Sequence, residues 1–549
     1  MAATYKGVLG IDFGTSTTIL AKSDGTAVST IPLDRSQMWL PSVVGRSSER
    51  WLVGEEAENL PFDHLVRSVK NSITNNEDVV ADGDLAGVST DEVVEAILAR
   101  VALMAERNGV DVEDSLVRMG CPAFWVGSQR MRLANLSQRA GLPVEVDHMI
   151  DEPIGAGIEW VWDRYLNHHE KVRGKVLVVD YGGGTLDVAL LDVDFGDQPV
   201  VTVLSARGRA GAGDDLDERI GTHLSERFVE AGVSSDRVAD PSFSSALARE
   251  SRAAKVRLSD LAATDILLGA SFRDIPRLTL SRSQLEDAFA PQLNETMVEI
   301  RNCIREARLR DSQGFSTAVA VRHLPDDTLA ADIKYVLLAG GMSLVPAVRE
   351  ELQRNFPHAK VYGDQTINDV TTKVARGFAR EDEYHSLNLH RPGLDLVLKW
   401  SGDDGKEQEE LLYEAFRPIY ERYQLVSNAP LRFERKFHTP HGSNPKRARI
   451  EARTVGGTQL AIKLQTHDQS VRVMHDGIPV TMNHWDPVGL KLDVNGEIWI
   501  TDGTGQTSRL HVARWPYVRF KRDHSMIGEI EMELKSSGEY WGVFPYPHK

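Results

Sequence analysis

The stretch VLVVDYGGGTLDVALLDV, Val176 to Val193, decides the fold. An apolar run ends in Asp180, three glycines follow, and a second alternating run carries Asp187. A single Asn-Gly or Gly-Gly would turn an ordinary hairpin. Gly182, Gly183 and Gly184 expose more backbone N–H than the turn requires, and such concavities attract anions. The pattern recurs: VLGIDFGTST (Val8–Thr17) aligns without gaps on VLVVDYGGGT (Val176–Thr185). Asp12 falls on Asp180, Phe13 on Tyr181, Gly14 on Gly182 and Thr17 on Thr185. Two strand–Asp–Gly–strand units about 170 residues apart point to a duplicated fold.

Around these units strand and helix signals alternate, which predicts α/β architecture. DEVVEAILARVALMAER has apolar residues at helical spacing, Val93, Val94, Ile97, Leu98, Val101 and Met104. LVRMGCPAFW reads as a strand ended by Pro122, and SQRMRLANLSQRAGL as a helix closed by Gly141. KYVLLAGGMSLVPAVREELQRNF reads as strand, glycine turn and helix, with Pro346 in the first turn.

At 549 residues, 41% of them hydrophobic, the chain has room for two to four domains with real cores. Cys121 and Cys303 lie far apart without metal-like spacing and read as inert thiols of a reducing compartment. The start runs directly into a strand, and no apolar run reaches the roughly 18 residues of a membrane span, so a soluble cytoplasmic protein is expected. Beyond residue 390 there are 22 basic and 21 acidic side chains; before it, 41 and 59. The acidic first part argues against a nucleic-acid surface there. The neutral last third holds five of the ten tryptophans, and the shift marks a change of domain. GKEQEELLYEAFRPIYERYQL predicts an amphipathic helix, with Leu412, Phe416, Ile419 and Tyr423 on one side and a kink at Pro418. Past Leu431, short alternating runs and a turn at Asn495-Gly496 predict an all-β sandwich or barrel. The basic run NPKRARIEAR (Asn444–Arg453) reads as a solvated hairpin edge, and His438 and His441 as loop residues without metal-site spacing.

Two Asp-tipped glycine hairpins define a chemistry together. Glycine lets the backbone approach phosphate oxygens, and Thr15, Ser16, Thr17 and Thr185 add neutral donors. Aspartates beside phosphate need a cation between them, and Mg²⁺, which keeps its waters, suits that role. Facing hairpins would clamp a Mg-nucleoside triphosphate between two lobes. No G-x-x-x-x-G-K-[ST] occurs, which disfavours a P-loop enzyme.

GIDFGTSTT, DEPIGAG, VVDYGGGTLDVALL and LLAGGMSLVP stand in the order and spacing of an actin-superfamily ATPase. The chain most resembles the heat shock protein 70 (DnaK) family over residues 6–380, with LPSVV, VGEEA, GCPAFW before Gln129-Arg130, and AAKVRLS as supporting matches. The resemblance implies ATP or ADP with Mg²⁺ as cofactors and slow ATP hydrolysis that drives a conformational switch. It implies that Asp12 and Asp180 hold the Mg²⁺ shell, and that Gly14, Thr15, Ser16 and Gly182, Gly183, Gly184, Thr185 wrap the β- and γ-phosphates. Lys70 would contact the γ-phosphate and Glu152 would orient the attacking water, with Asp187 close by. Gly340 and Gly341 would pass under the nucleoside, and Lys255 and Ser259 would reach its ribose or base. The segment GRAGAGDDLDERI keeps part of the family's phosphate turn, including Gly213 and Asp214. Departures cluster at the base: Val256 and Leu344 stand where the family has arginines, Arg252 where it has a glutamate, and Thr371 where it has an acidic residue.

The expected organisation is a duplicated actin-like (ribonuclease-H-like) nucleotide-binding domain over 1–385, a partly helical connector over 386–430, and an all-β partner-binding domain over 431–549. GLDLVLKW (Gly393–Trp400) is similar to the family's interdomain linker, and equally fits a first β-strand. The family's peptide-binding pattern is not evident downstream, so the expected partner is a protein of unspecified kind, with a co-chaperone or nucleotide-exchange factor as a second. Alternatives are a cytoskeletal or scaffold actin homologue, and a nucleotide sensor with little turnover.

Overall fold

The computed structural model describes residues 6–535 apart from 26, 35–36, 48–49, 62–63, 81–84, 310–319, 364–365, 381–383, 387–389, 428, 440–445, 466–470, 495 and 515–528. Each quoted motif forms a hairpin: Gly7–Phe13 with Thr17–Ser23, and Gly174–Tyr181 with Thr185–Phe195. The registers correspond, with Asp12 opposite Ile19 and Asp180 opposite Asp187. Val28–Ile31 adds an antiparallel strand to the first hairpin, and Ser115–Cys121 then Val144–Asp151 add parallel strands on its other side. Pro199–Ala210, Ile333–Ala339 and Lys360–Gly363 extend the second hairpin in the same order and directions. The duplication visible in two short motifs thus runs through five strands of each lobe. Val176–Val179 and Val188–Leu191 are buried throughout, as strands covered on both faces must be.

The helices that cover these sheets are exchanged. Glu152–His168 follows the last strand of the first sheet, yet its Ile154, Ile158 and Val161 pack with Val176, Val178, Ala189 and Leu191 of the second. Ile367–Ala379 follows the second sheet and lays Ala375 and Ala379 on Ile19 and Ala21 of the first. The two helices cross where Gly377 meets Gly155, so closely that a Cβ on Gly377 would collide with the Gly155 backbone.

The C-terminal region is β-rich. Its sheet runs in the order Glu407–Tyr413, Asp395–Ser401, Lys446–Arg453, Gln459–Gln465, Glu529–Lys535, Thr507–Arg514, Glu497–Thr501, Val488–Asp493, Arg432–Phe437. Val471–Met474 and Ile478–Met482 pair with Gln459–Gln465 and Lys446–Arg453. The sheet curls around one core that includes Leu398, Leu412, Ile450, Leu490 and Ile500, and an Arg435–Glu410 ion pair links its two edge strands. The expected turn joins Val488–Asp493 to Glu497–Thr501, with Gly496 at φ 86°. Tyr517–Arg522, His441 and Asn444–Pro445 lie outside the described residues. Arg449 and Arg453 of the basic run pair with Glu407 and Glu451, and with Glu409 and Asp395.

One expectation is corrected. Where an amphipathic helix is predicted over Gly405–Leu425, the chain forms the strand Glu407–Tyr413, an irregular turn, and a short 3₁₀ helix at Arg422–Val426. Leu412 and Ile419 are buried, but Tyr423 is 68% exposed, so the supposed apolar face does not exist. Gly402-Asp403-Asp404-Gly405 turns the chain back on Asp395–Ser401, and backbone pairing with that strand overrides the side-chain period. Gly393–Trp400 accordingly enters the sheet as a strand, from Asp395 onward.

The C-terminal sheet is seated on both lobes. Toward the first, Arg391 Nε donates to the Phe416 carbonyl (2.8 Å), its guanidinium also reaches the Ala123 and Phe124 carbonyls, and Thr454 Oγ1 donates to Asp147 (2.8 Å). Toward the second, Tyr420 Oη donates to Glu306 (2.6 Å), His390 Nε2 bonds the Glu306 carbonyl (3.0 Å), and Arg322 donates to the Ser427 and Ala429 carbonyls. Among the described residues, no helix is long and apolar enough to cross a membrane. Cys121 and Cys303 are buried, and burial pushes both thiols up to about 12.

Candidate active site

The two hairpin turns face each other across a cleft of about 960 Å³. Both are closed alike, Gly14 N–H donating to the Thr17 carbonyl and Gly182 N–H to the Thr185 carbonyl, each at 3.0 Å. The cleft is lined by Asp12, Gly14, Thr15, Ser16, Thr17, Lys70, Glu152, Asp180, Gly182, Gly183, Thr185, Gly213, Asp214, Lys255, Ser259, Gly340, Gly341 and Leu344. Of the glycines expected there, Gly184 sits apart from the lining, buried behind Thr15 and Asn71, where a Cβ would strike both side chains. Gly340 has φ 75° and lies against Asp180 and the Tyr181 carbonyl, a place and a conformation only glycine fits.

Lys70 is carried by the short helix Val69–Thr74 and is 1% exposed. Its ammonium forms an ion pair with Glu152, the first residue of the Glu152–His168 helix. Burial opposes the Lys70 charge, but Glu152 and Asp12 outweigh it and raise its pKa. The carboxylates are in the opposite condition. Burial, with Glu152 beside it, pushes Asp12 up to about 7 and Asp187 up to about 8, and raises Asp180 well above the usual range. Asp187 faces Asp180 across its hairpin and accepts from Ala123 N–H at 2.7 Å. Beside the phosphate turn, Lys255 Nζ donates to the Gly213 carbonyl (2.8 Å) and pairs with Asp217 (2.7 Å); burial lowers its pKa against that partner.

At the far end Val256, 64% exposed, and Leu344 line the cleft with Ser259, Asp260, Ser343, Arg349 and Thr371. Arg252 and Arg349 are engaged elsewhere, with Asp214 and Asp217 and with the Gly363 carbonyl. Asp260, Ser343, Arg349 and Val370 were not anticipated from the sequence; they follow from the glycine turn and two helices that close this end. Ser68 and Asn71, which meet Asp214 from across the cleft, were also missed, and nothing in VRSVKNSI beyond Lys70 marks them.

Two matching sheets, exchanged helices and a carboxylate-rich cleft between facing glycine turns define an actin-like, two-lobe ATPase. Compared with known families, the chain matches the Hsp70 protein family over residues 61–380. It belongs to that family, whose members are chaperone-type ATPases that bind ATP or ADP with Mg²⁺. The residues present fit a cation held at second hand. Among the described residues no three His, Cys, Asp or Glu side chains are grouped to ligate an ion directly, while the buried aspartates concentrate negative charge that a hydrated cation would relieve.

Proposed function

We propose that the protein is a Mg-ATP-dependent conformational switch that couples nucleotide binding and slow hydrolysis to the binding of a partner protein by its C-terminal β region. In this reading residues 1–385 form the switch and 431–549 meet the partner or client, while 386–430 connect them and lend the strands Asp395–Ser401 and Glu407–Tyr413 to the same sheet; a co-chaperone or exchange factor would act on the lobes. The carrying observation is the pair of glycine turns closed by the same hydrogen bond, each tipped by an aspartate, on opposite walls of one cleft.

Asp12 and Asp180 hold the water shell of Mg²⁺, whose charge offsets that of the phosphates when bound. The backbone N–H groups and hydroxyls of Gly14, Thr15, Ser16 and Thr17, and of Gly182, Gly183, Gly184 and Thr185, cradle the β- and γ-phosphates; Gly184 acts by keeping the turn close to Thr15. Lys70 neutralises the γ-phosphate, and Glu152 orients the attacking water with Asp187 behind it. Gly213 and Asp214 continue the phosphate turn, Lys255 and Ser259 meet the ribose or base, and Gly340, Gly341 and Leu344 the nucleoside. The Lys70–Glu152 ion pair supports slow turnover, because both groups must leave each other to serve substrate and water. Contacts of Arg391 and Thr454 with the first lobe, and of His390 and Tyr420 with the second, support transmission, because a rotation between lobes would strain one set.

Calorimetry with ATP and ADP, with and without Mg²⁺, on the wild type and Asp180→Ala tests the reading, together with phosphate release. Mg²⁺-dependent binding that the substitution removes supports it. Absence of nucleotide binding in the wild type overturns it.

A further inference from the structure

Asp214 is one carboxylate through which the two lobes touch. From the first lobe, Ser68 Oγ donates to Asp214 Oδ2 at 2.5 Å and Asn71 Nδ2 to the same oxygen at 3.4 Å. From the second, Arg252 of the helix Pro241–Asp260 donates to Asp214 Oδ1 at 2.6 Å and to Asp217 Oδ2 at 3.3 Å. Lys255 completes the row on Asp217. Arg67, next to Ser68, pairs with Glu58 at 3.5 Å and feels the charges of Asp214 and Arg252.

The element so held is the one that carries Lys70. Val69–Thr74 is six residues long, too short to persist as an isolated helix. Its C-terminal end is fixed to the first lobe by Trp125 Nε1 on Thr74 Oγ1 (3.1 Å) and Gln129 Nε2 on the Thr74 carbonyl (2.8 Å). Its N-terminal end depends on Ser68, whose φ of 56° is a left-handed conformation that a serine adopts only when its surroundings hold it there. Asp214 is what meets the Ser68 side chain. Asp214 itself lies in the acidic run Asp214-Asp215…Asp217, and Arg252 pairs with two of those carboxylates and fixes the orientation of Asp214.

We propose that Arg252 is a positioning residue: by holding Asp214 it clamps Ser68 and Asn71 across the cleft, and thereby fixes the helix that presents Lys70. That the clamp acts on nucleotide rests on the function proposed above; the contact across the cleft does not. Release of a ligand from the closed cleft requires the Ser68–Asp214 bond to break, so the clamp sets both the lysine's position and the rate of release. A glutamate at position 252 would repel Asp214, so the arrangement depends on arginine's charge and its two-pronged donor geometry.

The experiment uses the full chain with Arg252→Ala, Arg252→Lys and Ser68→Ala. Amide hydrogen exchange of the ligand-free proteins is read at residues 69–75, with the Thr90–Arg107 helix as internal reference. Arg252→Ala and Ser68→Ala are expected to speed exchange at 69–75 and leave 90–107 unchanged, and Arg252→Lys to recover part of the protection. With labelled Mg-ATP, the two alanine variants release nucleotide about tenfold faster, the worth of one hydrogen bond to a charged group. Unchanged exchange at 69–75 in both alanine variants overturns the clamp, as does loosening confined to residues 213–260, which would make Arg252 an internal brace of the second lobe. If the wild type binds no nucleotide, the proposed function fails while exchange still decides the clamp.

Discussion

Carboxylates gather in the cleft between the lobes, and buried ones gather again where the C-terminal sheet meets the second lobe. In the cleft, Asp12, Asp180 and Asp187 crowd beside Glu152, and all three hold their protons above the ordinary carboxylate range. At the seam, Glu306 is as deeply buried, yet Arg207, Ser205 and Tyr420 each reach its oxygens. Burial opposes its charge, but Arg207, His390 and Tyr420 prevail and hold its pKa below the usual value. The difference separates two uses of buried charge. A carboxylate whose partners are built in is architecture, and one left short of positive charge is a place for a cation.

The comparison can be broken most forcefully at the seam. Glu306→Ala leaves Arg207 with Glu299 alone and takes the acceptor from Ser205 and Tyr420, and should cost about 3 kcal/mol in urea unfolding while Mg-ATP affinity of the folded protein changes little. In the cleft, Lys70→Ala should lower single-turnover hydrolysis on the order of 10²–10³-fold with nucleotide still bound, as expected for a group aimed at developing charge. Asp180→Asn should weaken Mg-nucleotide binding on the order of 10–100-fold. The same substitution should raise the ligand-free melting temperature, because it removes one of several like charges; a fall would place Asp180 with Glu306 on the architectural side.

A smaller effect concerns acid. Burial lowers the pKa of His390 in the folded protein, so the unfolded chain takes up its proton first as pH drops below about 6.5. Stability held above that pH is therefore lost on acidification, at no more than about 1.4 kcal/mol per pH unit, and Glu306 adds loss of the same sign below its ordinary range. Melting curves from pH 7.5 to 5 on wild type and His390→Asn should show the steeper decline in wild type. The smallest change is expected at the nucleoside end, where Val256→Arg should shift ATP over GTP preference by about two- to fivefold, the worth of one exposed cation–π contact. An unchanged ratio would mean that the base does not reach Val256.

What the sequence disclosed follows the same division. Strand–Asp–Gly turns work through backbone, and backbone conformation is written in local residue choice; hence both hairpins and the residues at their turns were legible, while the nucleoside end of the cleft was read only in part. Gly184 was drawn into the lining by its neighbours, although its part is to let Thr15 and Asn71 close in behind the turn. The seam was illegible, because His390, Tyr420 and Arg207 acquire partners only through tertiary contact. The failed helix over 405–425 has a related cause: its apolar spacing was read, while the Gly-Asp-Asp-Gly turn that pairs Glu407–Tyr413 with Asp395–Ser401 was passed over. The Ser68–Asp214 contact spans 146 positions and has no local signature.

The exchanged helices have a consequence for synthesis. The first sheet is complete in sequence by Asp151, but one face stays bare until Ile367–Ala379 supplies Ala375 and Ala379. During translation the N-terminal lobe must therefore wait, its strands made and a hydrophobic face open, while more than two hundred further residues leave the ribosome. Chains ending at residue 366 should remain sticky and open to proteases, and the last helix of the second lobe is the stitch that finishes the first.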